Sequence, residues 1–223
     1  MSGLRVIFFD AVGTLIHLPR GPAWHYCEVA RRHGLALPLE AFDAAFRKAW
    51  KETLPPTTTQ TPRPDDDRGW WEALVDRVLD TCAADAHSFD RRAYFRELYE
   101  EFAKPGVWDV YPETRAVVTE LACRFELSVI SNFDRRLRTV LEHLDLSRFF
   151  RRIVLSSEVG ANKPDPWIFS EALRLSGATP KEALHVGDDP AADWEGAARA
   201  GMRIFKLQRG QTSLRSLALE LNA

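Results

Sequence analysis

Cysteine is scarce in this chain of 223 residues: three, at positions 27, 82 and 123, with no CxxC pair. An odd, widely spaced trio excludes a disulfide framework and a cysteine-built zinc site, and fits a reducing compartment. The six histidines include no HxxxH pair, so the helical two-histidine zinc motif is absent as well. His25 and His33, eight apart, are expected on one exposed helix face as structural residues. Long apolar runs are missing: none approaches the ~18 residues of a membrane span. No charged-then-apolar leader precedes the first strand, which predicts a cytoplasmic protein. An excess of either charge is missing too. With 30 basic and 32 acidic residues and a net charge of -2, no broad basic surface for nucleic acid or an anionic membrane is expected. There are no internal repeats.

Hydrophobic residues make up 45% and charged ones 28%, the balance of a globular protein with ample core material. The length admits one domain with an insertion, or two small ones. The first organised stretch is Val6-Ile7-Phe8-Phe9-Asp10-Ala11-Val12-Gly13-Thr14-Leu15. Four apolar residues in a row read as a strand buried on both faces. The run stops at an acid, where open parallel sheets place their active sites. Taken alone, Asp10 is equally well a turn residue.

Next come two Pro and a Gly within residues 16–22, then helical spacing over 23–33 and 39–52, with Gly34 as a stop between them. Residues 54–67 are a polar, Pro- and Thr-rich stretch ending in Asp65-Asp66-Asp67. It excludes a helix or central strand and is expected to be functional or mobile, with the acid triple solvated or serving as a helix cap. Helical patterning resumes over 68–81 and 91–103, the latter capped by Ser88 or Asp90. Trp24, Trp50, Trp70 and Trp71, at helical spacing, are expected in the core of this region.

From Trp108 the pattern alternates. Helices are expected over 112–124, opened by Pro112, and over 135–143, 166–176, 191–200 and 213–221. Strands are expected over 126–131, 152–156, 183–186 and 203–207. Strands alternating with helices imply a parallel sheet covered on both faces, and the first strand must join it. The fold expected is α/β, a Rossmann-like parallel sheet formed by residues 1–16 and 107–223. An all-helical domain, residues 17–106, is inserted into it.

Several strand ends carry chemistry: Asp10, Ser131-Asn132, and Gly187-Asp188-Asp189. Lys163 follows a further strand, in the loop Gly160-Ala161-Asn162-Lys163-Pro164. A parallel sheet puts all these ends on one edge. Taken singly, Ser131-Asn132 reads as a helix cap, Lys163 as a solvated loop lysine and Asp188-Asp189 as a turn. Together, two carboxylates that would repel one another suit a hard divalent cation such as Mg²⁺. Lys163 and Ser131 suit a phosphoryl group, and Asp10 suits a nucleophile that forms an aspartyl-phosphate. Asp193 would orient a metal-bound water or hold Lys163.

The ordered set resembles the haloacid dehalogenase-like (HAD) hydrolases over essentially the full chain. It is carried by Phe9 to Leu15, Val129 to Asp134, Ser156 to Pro164, and His185 to Asp193 with Gly196-Ala197 and Gly201. A helical cap between the first two motifs resembles subfamily IA. The Val12-Gly13-Thr14 wording and Trp70-Trp71 resemble the rhythmically-expressed-gene-like, or HAD-like hydrolase domain-containing, branch. The resemblance implies that Asp10 is nucleophile and metal ligand and that Thr14 steadies its loop. It also implies that Ser131 and Lys163 bind the phosphoryl group. Asp188 would ligate Mg²⁺ with support from Asp189 or Asp193, and the Val12 backbone carbonyl would complete the shell. The substrate implied is a small phosphorylated molecule, with Asn132 as a further contact. Arg20, in the linker near the mouth, is expected either to meet an anionic substrate or to be an exposed surface arginine. Monomer and dimer both remain open.

One position departs from the family. HAD phosphatases carry a second Asp two residues after the first, where it protonates the leaving oxygen and later activates water. Here Val12 stands in that place, and general acid–base catalysis is typically worth ~10²–10⁴-fold. Three readings follow: a phosphatase for substrates with good leaving groups, a C–halogen hydrolase needing no such acid, or a binding or regulatory module. Dehalogenases of the family also lack the acid held here by Asp188, which favours the metal-dependent reading. Phosphonatases have a small apolar residue at this position but need a Schiff-base lysine in the cap. Lys48 and Lys51 lie among apolar residues and read as structural. Hinges for cap closure, which can exclude water and select substrates, are expected around 19–22 and 104–106.

Overall fold

The computed structural model describes residues 3–84 and 89–222. Its centre is β1 (Val6–Phe9), with every residue buried. A fully apolar tetrapeptide has no face for water, so it takes the middle of a sheet. Around it stand β4 (Glu126–Ser131), β5 (Arg152–Leu155), β6 (Ala183–Gly187) and β7 (Arg203–Lys206), in the order β5-β4-β1-β6-β7. All pairs are parallel, with Phe9 opposite Val129 on one side and Val186 on the other. The chain builds outward on one side of β1 and then on the other. The ends of β4, β1 and β6 therefore flank a topological switch point, where such sheets bind ligands.

One face of the sheet, through Val6, Phe8, Ile130 and Val154, packs on Ile168, Phe169 and Ala172 of α8 (Pro166–Ser176) and Ala197 of α9 (Gly196–Arg199). Elsewhere α5 (Thr114–Ala122) packs on β4 and on α10 (Leu214–Asn222). Pro112 lies ahead of α5 rather than in its first turn, because Glu113 takes the N-cap position. The helix expected from Ala191 opens instead as one π-helical turn, Pro190–Glu195, before α9. Such turns are rare and concentrate at functional sites. Two further elements, α6 (Arg136–His143) and the short α7 (Ser156–Val159), follow β4 and β5. A small antiparallel pair, β2 (Ile16–His17) with β3 (Asp109–Val110), is too short to leave a sequence pattern.

The chain divides into two compact units. The α/β unit comprises 1–17, 57–66 and 109–223; the helical unit comprises 18–56 and 67–108. The chain thus passes between units at four places, and the segment Thr57–Asp66 groups with the sheet. Of the two expectations for this stretch, functional or mobile, its hydrogen bonds to Ser157 and Gly160 favour the first, and of the acid triple Asp67 takes the N-cap position of the following helix, Arg68–Cys82.

The helical unit contains α1 (Gly21–Arg32), α2 (Leu39–Glu52), α3 (Arg68–Cys82) and α4 (Arg91–Glu101). Asp90 caps α4 by accepting the Ala93 N–H; Ser88, the other candidate, lies outside the described residues. The unit's core is Tyr26, Val29, Phe42, Leu74, Val78, Leu79, Tyr94 and Leu98. Two expectations fail here. Trp50 is 52% exposed, stacked edgewise on Trp70 and face-on with Phe46, because the aliphatic and tyrosyl residues already fill the interior. His25 is buried rather than exposed, with Nδ1 3.7 Å from Glu101; only His33 lies toward the surface, paired to Glu97 at 2.8 Å.

Candidate active site

The end of β1 is pinned first. The Asp10 N–H donates to the Val186 carbonyl at 2.8 Å, carrying the ladder one residue beyond the strand. The chain then turns tightly: Leu15 and Ile16 donate to the Ala11 carbonyl and Gly13 donates to Ile16. These bonds use the backbone groups of Ala11, Gly13, Leu15 and Ile16. The Val12 side chain is 38% exposed. Gly13 has φ +88, and a Cβ there would collide with the Asp188 carboxylate. Glycine is required on both counts. Thr14 Oγ1 donates to Asp188 Oδ1 at 3.0 Å, so the loop after β1 cradles the acid that follows β6.

Lys163 is buried and its Nζ lies 2.6 Å from both Asp10 Oδ1 and Asp193 Oδ1. Its backbone is gripped by Asn132, whose Oδ1 accepts the Lys163 N–H at 2.6 Å while Nδ2 donates to the Lys163 carbonyl at 2.9 Å. Asp193 is anchored on both oxygens. Oδ1 accepts from Lys163 and from His185 Nε2 at 2.8 Å, and Oδ2 accepts the Asp189 N–H at 3.0 Å. A Cβ on Gly187 would strike the Asp193 carboxylate, another position that must be glycine. Ser131 is buried at the end of β4, beside Leu155 in register.

Charge is concentrated here. Carboxylate oxygens of Asp10, Asp188 and Asp193 all lie within 4.8 Å of one another, with one ammonium among them. Burial pushes the Asp10 carboxyl up to about 7, against the pull of Lys163 and with the push of Asp193 and Asp188. Burial raises Asp188 as well, against the Thr14 hydrogen bond. Asp193 moves the other way: burial opposes its charge, but Lys163 and His185 outweigh it. Burial likewise opposes the Lys163 ammonium, and Asp10 with Asp193 outweighs it, holding the group well above the ordinary lysine range. Burial pushes the His185 imidazole below its ordinary range, against the pull of Asp193. Fully ionised, the three carboxylates and one ammonium leave the cluster with two surplus negative charges. Oxygen donors with surplus negative charge fit a hard divalent cation, and Asp10 and Asp188 have the oxygens to spare.

The structure brings together Asp10, Thr14, Lys163, Asp188 and Asp193 by direct contact, with Ser131 on the neighbouring strand end. Asn132 is a clamp on the Lys163 backbone rather than a free donor. Asp189 is not in the acid cluster: it is exposed and accepts the Ala191 and Ala192 N–H groups at 2.8 and 2.7 Å, a helix cap. Arg20 belongs to the helical unit, where its guanidinium lies 4.3 Å over the Trp24 ring.

Sequence reasoning missed two participants. His185 supports Asp193 from inside β6; a polar residue within a buried apolar strand was the available signal. Arg209 donates to the Gly13 carbonyl at 3.0 Å and the Thr14 carbonyl at 2.5 Å, pairs with Glu113 at 2.6 Å, and stacks on Tyr111. Nothing local marks that arginine.

The switch point of the parallel α/β sheet thus gathers a buried lysine and three carboxylates, a site that fits a hydrolase core. The family model for haloacid dehalogenase-like hydrolases matches residues 4–201, and the chain belongs to that family. It is 35% identical over 212 residues to haloacid dehalogenase-like hydrolase domain-containing protein 3 of Homo sapiens, covering 91% of this chain and 81% of that one. It is 27% identical to the rhythmically expressed gene 2 protein of Drosophila melanogaster (90% and 82% covered). It is 32% identical to a phosphoserine phosphatase of Thermus thermophilus (75% and 72% covered). Among solved structures it is similar to the defluorinating L-2-haloacid dehalogenase Rha0230, with a TM-score of 0.80 at 19% identity over 99% and 96% of the chains. It is also similar to YfnB from Bacillus subtilis bound to magnesium, at 0.74 and 16% over 99% of each. At those identities the structural likeness concerns the fold. No described helix is long and apolar enough to cross a membrane.

Proposed function

We propose that the protein is a Mg²⁺-dependent phosphatase acting on a small phosphorylated molecule with a good leaving group. The observation that carries this is Asp188, held by Thr14 and fitted against Gly13 within reach of Asp10. Displacing halide from carbon needs no such second acid, whereas a cation-binding phosphoryl site does. Asp10, Asp188 and the Val12 carbonyl would hold Mg²⁺, which when bound neutralises charge on the phosphoryl oxygens.

The chain's own groups divide the remaining work. Lys163 fixes a positive charge beside Asp10 and Ser131 sits at the adjacent strand end. Asp193, with both oxygens occupied, orients Lys163. An Asp10 oxygen attacks phosphorus, the bond to the leaving oxygen breaks, and that oxygen leaves as an anion that takes its proton from solvent. Water then attacks phosphorus, releasing phosphate and the Asp10 carboxylate. An acyl or aryl phosphate suits this route because its leaving oxygen needs little protonation. A panel of p-nitrophenyl phosphate, acetyl phosphate and 2-chloropropionate, each with and without Mg²⁺, tests the reading. Turnover of the phosphates only with Mg²⁺ is expected; metal-free turnover of 2-chloropropionate would reverse it in favour of halide displacement, the reading that the apolar Val12 favours.

Val12→Asp should raise turnover of an alkyl phosphate by about 10²-fold, the lower end of what general acid–base catalysis supplies. The same change should leave acetyl phosphate nearly unaffected. The half-exposed Val12 side chain leaves room for the carboxylate. Equal rates for wild type and variant on the alkyl ester would mean that the missing acid is not limiting.

Metal binding should depend on pH through Asp10. A carboxyl with its pKa at about 7 keeps its proton better in the folded chain than in the unfolded one, near 3.9. In the metal-free protein its contribution to stability is therefore lost as pH rises from about 4 to about 7. Mg²⁺ competes with that proton, so its affinity should fall about tenfold between pH 8 and pH 6 by calorimetry. Equal affinity at both would remove Asp10 from the ligand set.

A further inference from the structure

The segment Thr57–Asp66 lies in the sequence between two helices of the helical unit, yet it hydrogen-bonds to the loop that carries Lys163, to α7 just ahead of that loop, and to the Arg135 backbone. Thr59 and Gln60 donate their N–H groups to the Gly160 carbonyl at 2.7 and 3.2 Å, and Arg63 donates its own to the Ser157 carbonyl at 2.8 Å. Gly160 has φ +69, and a Cβ there would run into Thr61 O and Thr59 Oγ1, so the segment sits flush on the backbone. Thr58 Oγ1 donates to Asp165 Oδ2 at 2.9 Å. Asp66 accepts from Ser157 Oγ at 2.6 Å and from the Arg135 N–H at 3.0 Å. The buried Arg63 donates through Nη2 to Asn162 Oδ1 at 2.5 Å. Residues on both sides of Lys163 are therefore held by one strap, while Asn132 holds the Lys163 backbone from the other direction.

We infer that Thr57–Asp66 is a positioning strap for the phosphoryl-site lysine, with Arg63 acting through Asn162 to fix the turn from which Lys163 reaches Asp10. This rests on the reading of Lys163 as the cation of a phosphoryl-transfer site. The geometry fits such a role. Lys163 Nζ meets two carboxylates at 2.6 Å, and a flexible four-carbon stem holds that placement only if its backbone does not shift. A displacement of about 1 Å at a reacting group can cost 10²-fold. A strap that merely covered the loop would need neither a buried guanidinium on the residue preceding the lysine nor the Thr58–Asp165 contact beyond it.

The test compares Arg63→Ala, Arg63→Lys, Asn162→Ala and the Arg63→Ala/Asn162→Ala double variant in the full chain with acetyl phosphate and Mg²⁺. Arg63→Ala should lower kcat about 10- to 100-fold with KM within about twofold. Arg63→Lys, which keeps one donor, should recover part of the loss. Asn162→Ala should match Arg63→Ala, and the double variant should lose no more than either, since both break one link. Amide exchange in the Gly160–Asp165 peptide should quicken in Arg63→Ala, with the Asp10 and Asp188 peptides unchanged. An Arg63→Ala kcat within twofold of wild type with unchanged exchange would overturn the proposal. So would additive losses, or a raised KM at constant kcat, which would make Arg63 a substrate contact. Should Arg63→Ala not fold, Arg63→Lys and Asn162→Ala carry the comparison. If the wild type turns over no phosphate ester, the phosphatase reading falls, and the exchange measurement still decides the strap.

Discussion

Asp10→Asn is expected to lose about 10⁴–10⁶-fold in kcat on acetyl phosphate, the scale on which removal of a nucleophile acts, while keeping its fold. The two halves of this expectation have different causes. Asparagine fills the same volume, and its carbonyl oxygen still accepts from Lys163 Nζ where Asp10 Oδ1 does now. The charge it removes is one that burial already disfavours, since the Asp10 carboxyl is pushed up to about 7. The melting temperature should therefore stay within a few degrees of wild type. An amide oxygen is too weak a nucleophile to displace a leaving group from phosphorus, and as a neutral group it is a poor partner for Mg²⁺. The thermal stabilisation that Mg²⁺ gives the wild type should shrink accordingly. A variant with more than a hundredth of wild-type kcat would exclude Asp10 as the nucleophile.

Lys163→Met should be the most destabilising single change in the site. It leaves Asp10 and Asp193 buried without the ammonium that both contact at 2.6 Å. Stranding a buried charge in this way costs about 3–5 kcal/mol. The loss should depend on pH. At pH 8 the variant must bury two carboxylates or hold protons on them against their unfolded values. At pH 5 Asp10 takes up its proton readily and the penalty falls. Denaturant unfolding at the two pH values measures this. Saturating Mg²⁺ should restore part of the stability at pH 8 by supplying the missing positive charge. A loss independent of pH would mean that Lys163 acts through packing, and that the charge argument for the site is wrong.

The parts of the site that could be read from the sequence are those where a residue type conflicts with its surroundings. Asp10 ends a fully apolar strand, and Asp188 and Lys163 end or follow others; parallel pairing carries all three to one edge without further information. Asp189 illustrates the limit. Two adjacent acids after a strand look alike in one dimension. Only the turn that follows decides that Asp188 faces Thr14 and Gly13 while Asp189 turns to the Ala191 and Ala192 N–H groups. Asn132 read as a substrate contact because its amide was visible and its partner, the Lys163 backbone, was not.

The strap and Arg209 were illegible for another reason. Thr57–Asp66 has the composition of a solvated loop, and its Pro and Thr residues carry no periodicity. It is held through the backbone groups of Gly160 and Ser157, which every residue has. Arg209 reaches Gly13 and Thr14 from almost the other end of the chain. The exposed Trp50 shows the converse, where helical spacing was correct but could not say which apolar residues the helical core had room for.

The central claim is that Asp10 takes a phosphoryl group. Mixing the protein with acetyl phosphate and Mg²⁺, quenching in acid and mapping peptides by mass spectrometry tests it directly. The account predicts a phosphoryl adduct on the peptide carrying Asp10, lost on omitting Mg²⁺ and absent from Asp10→Asn. Turnover without any adduct at Asp10, or an alkyl ester at Asp10 formed from 2-chloropropionate in the absence of metal, would contradict it.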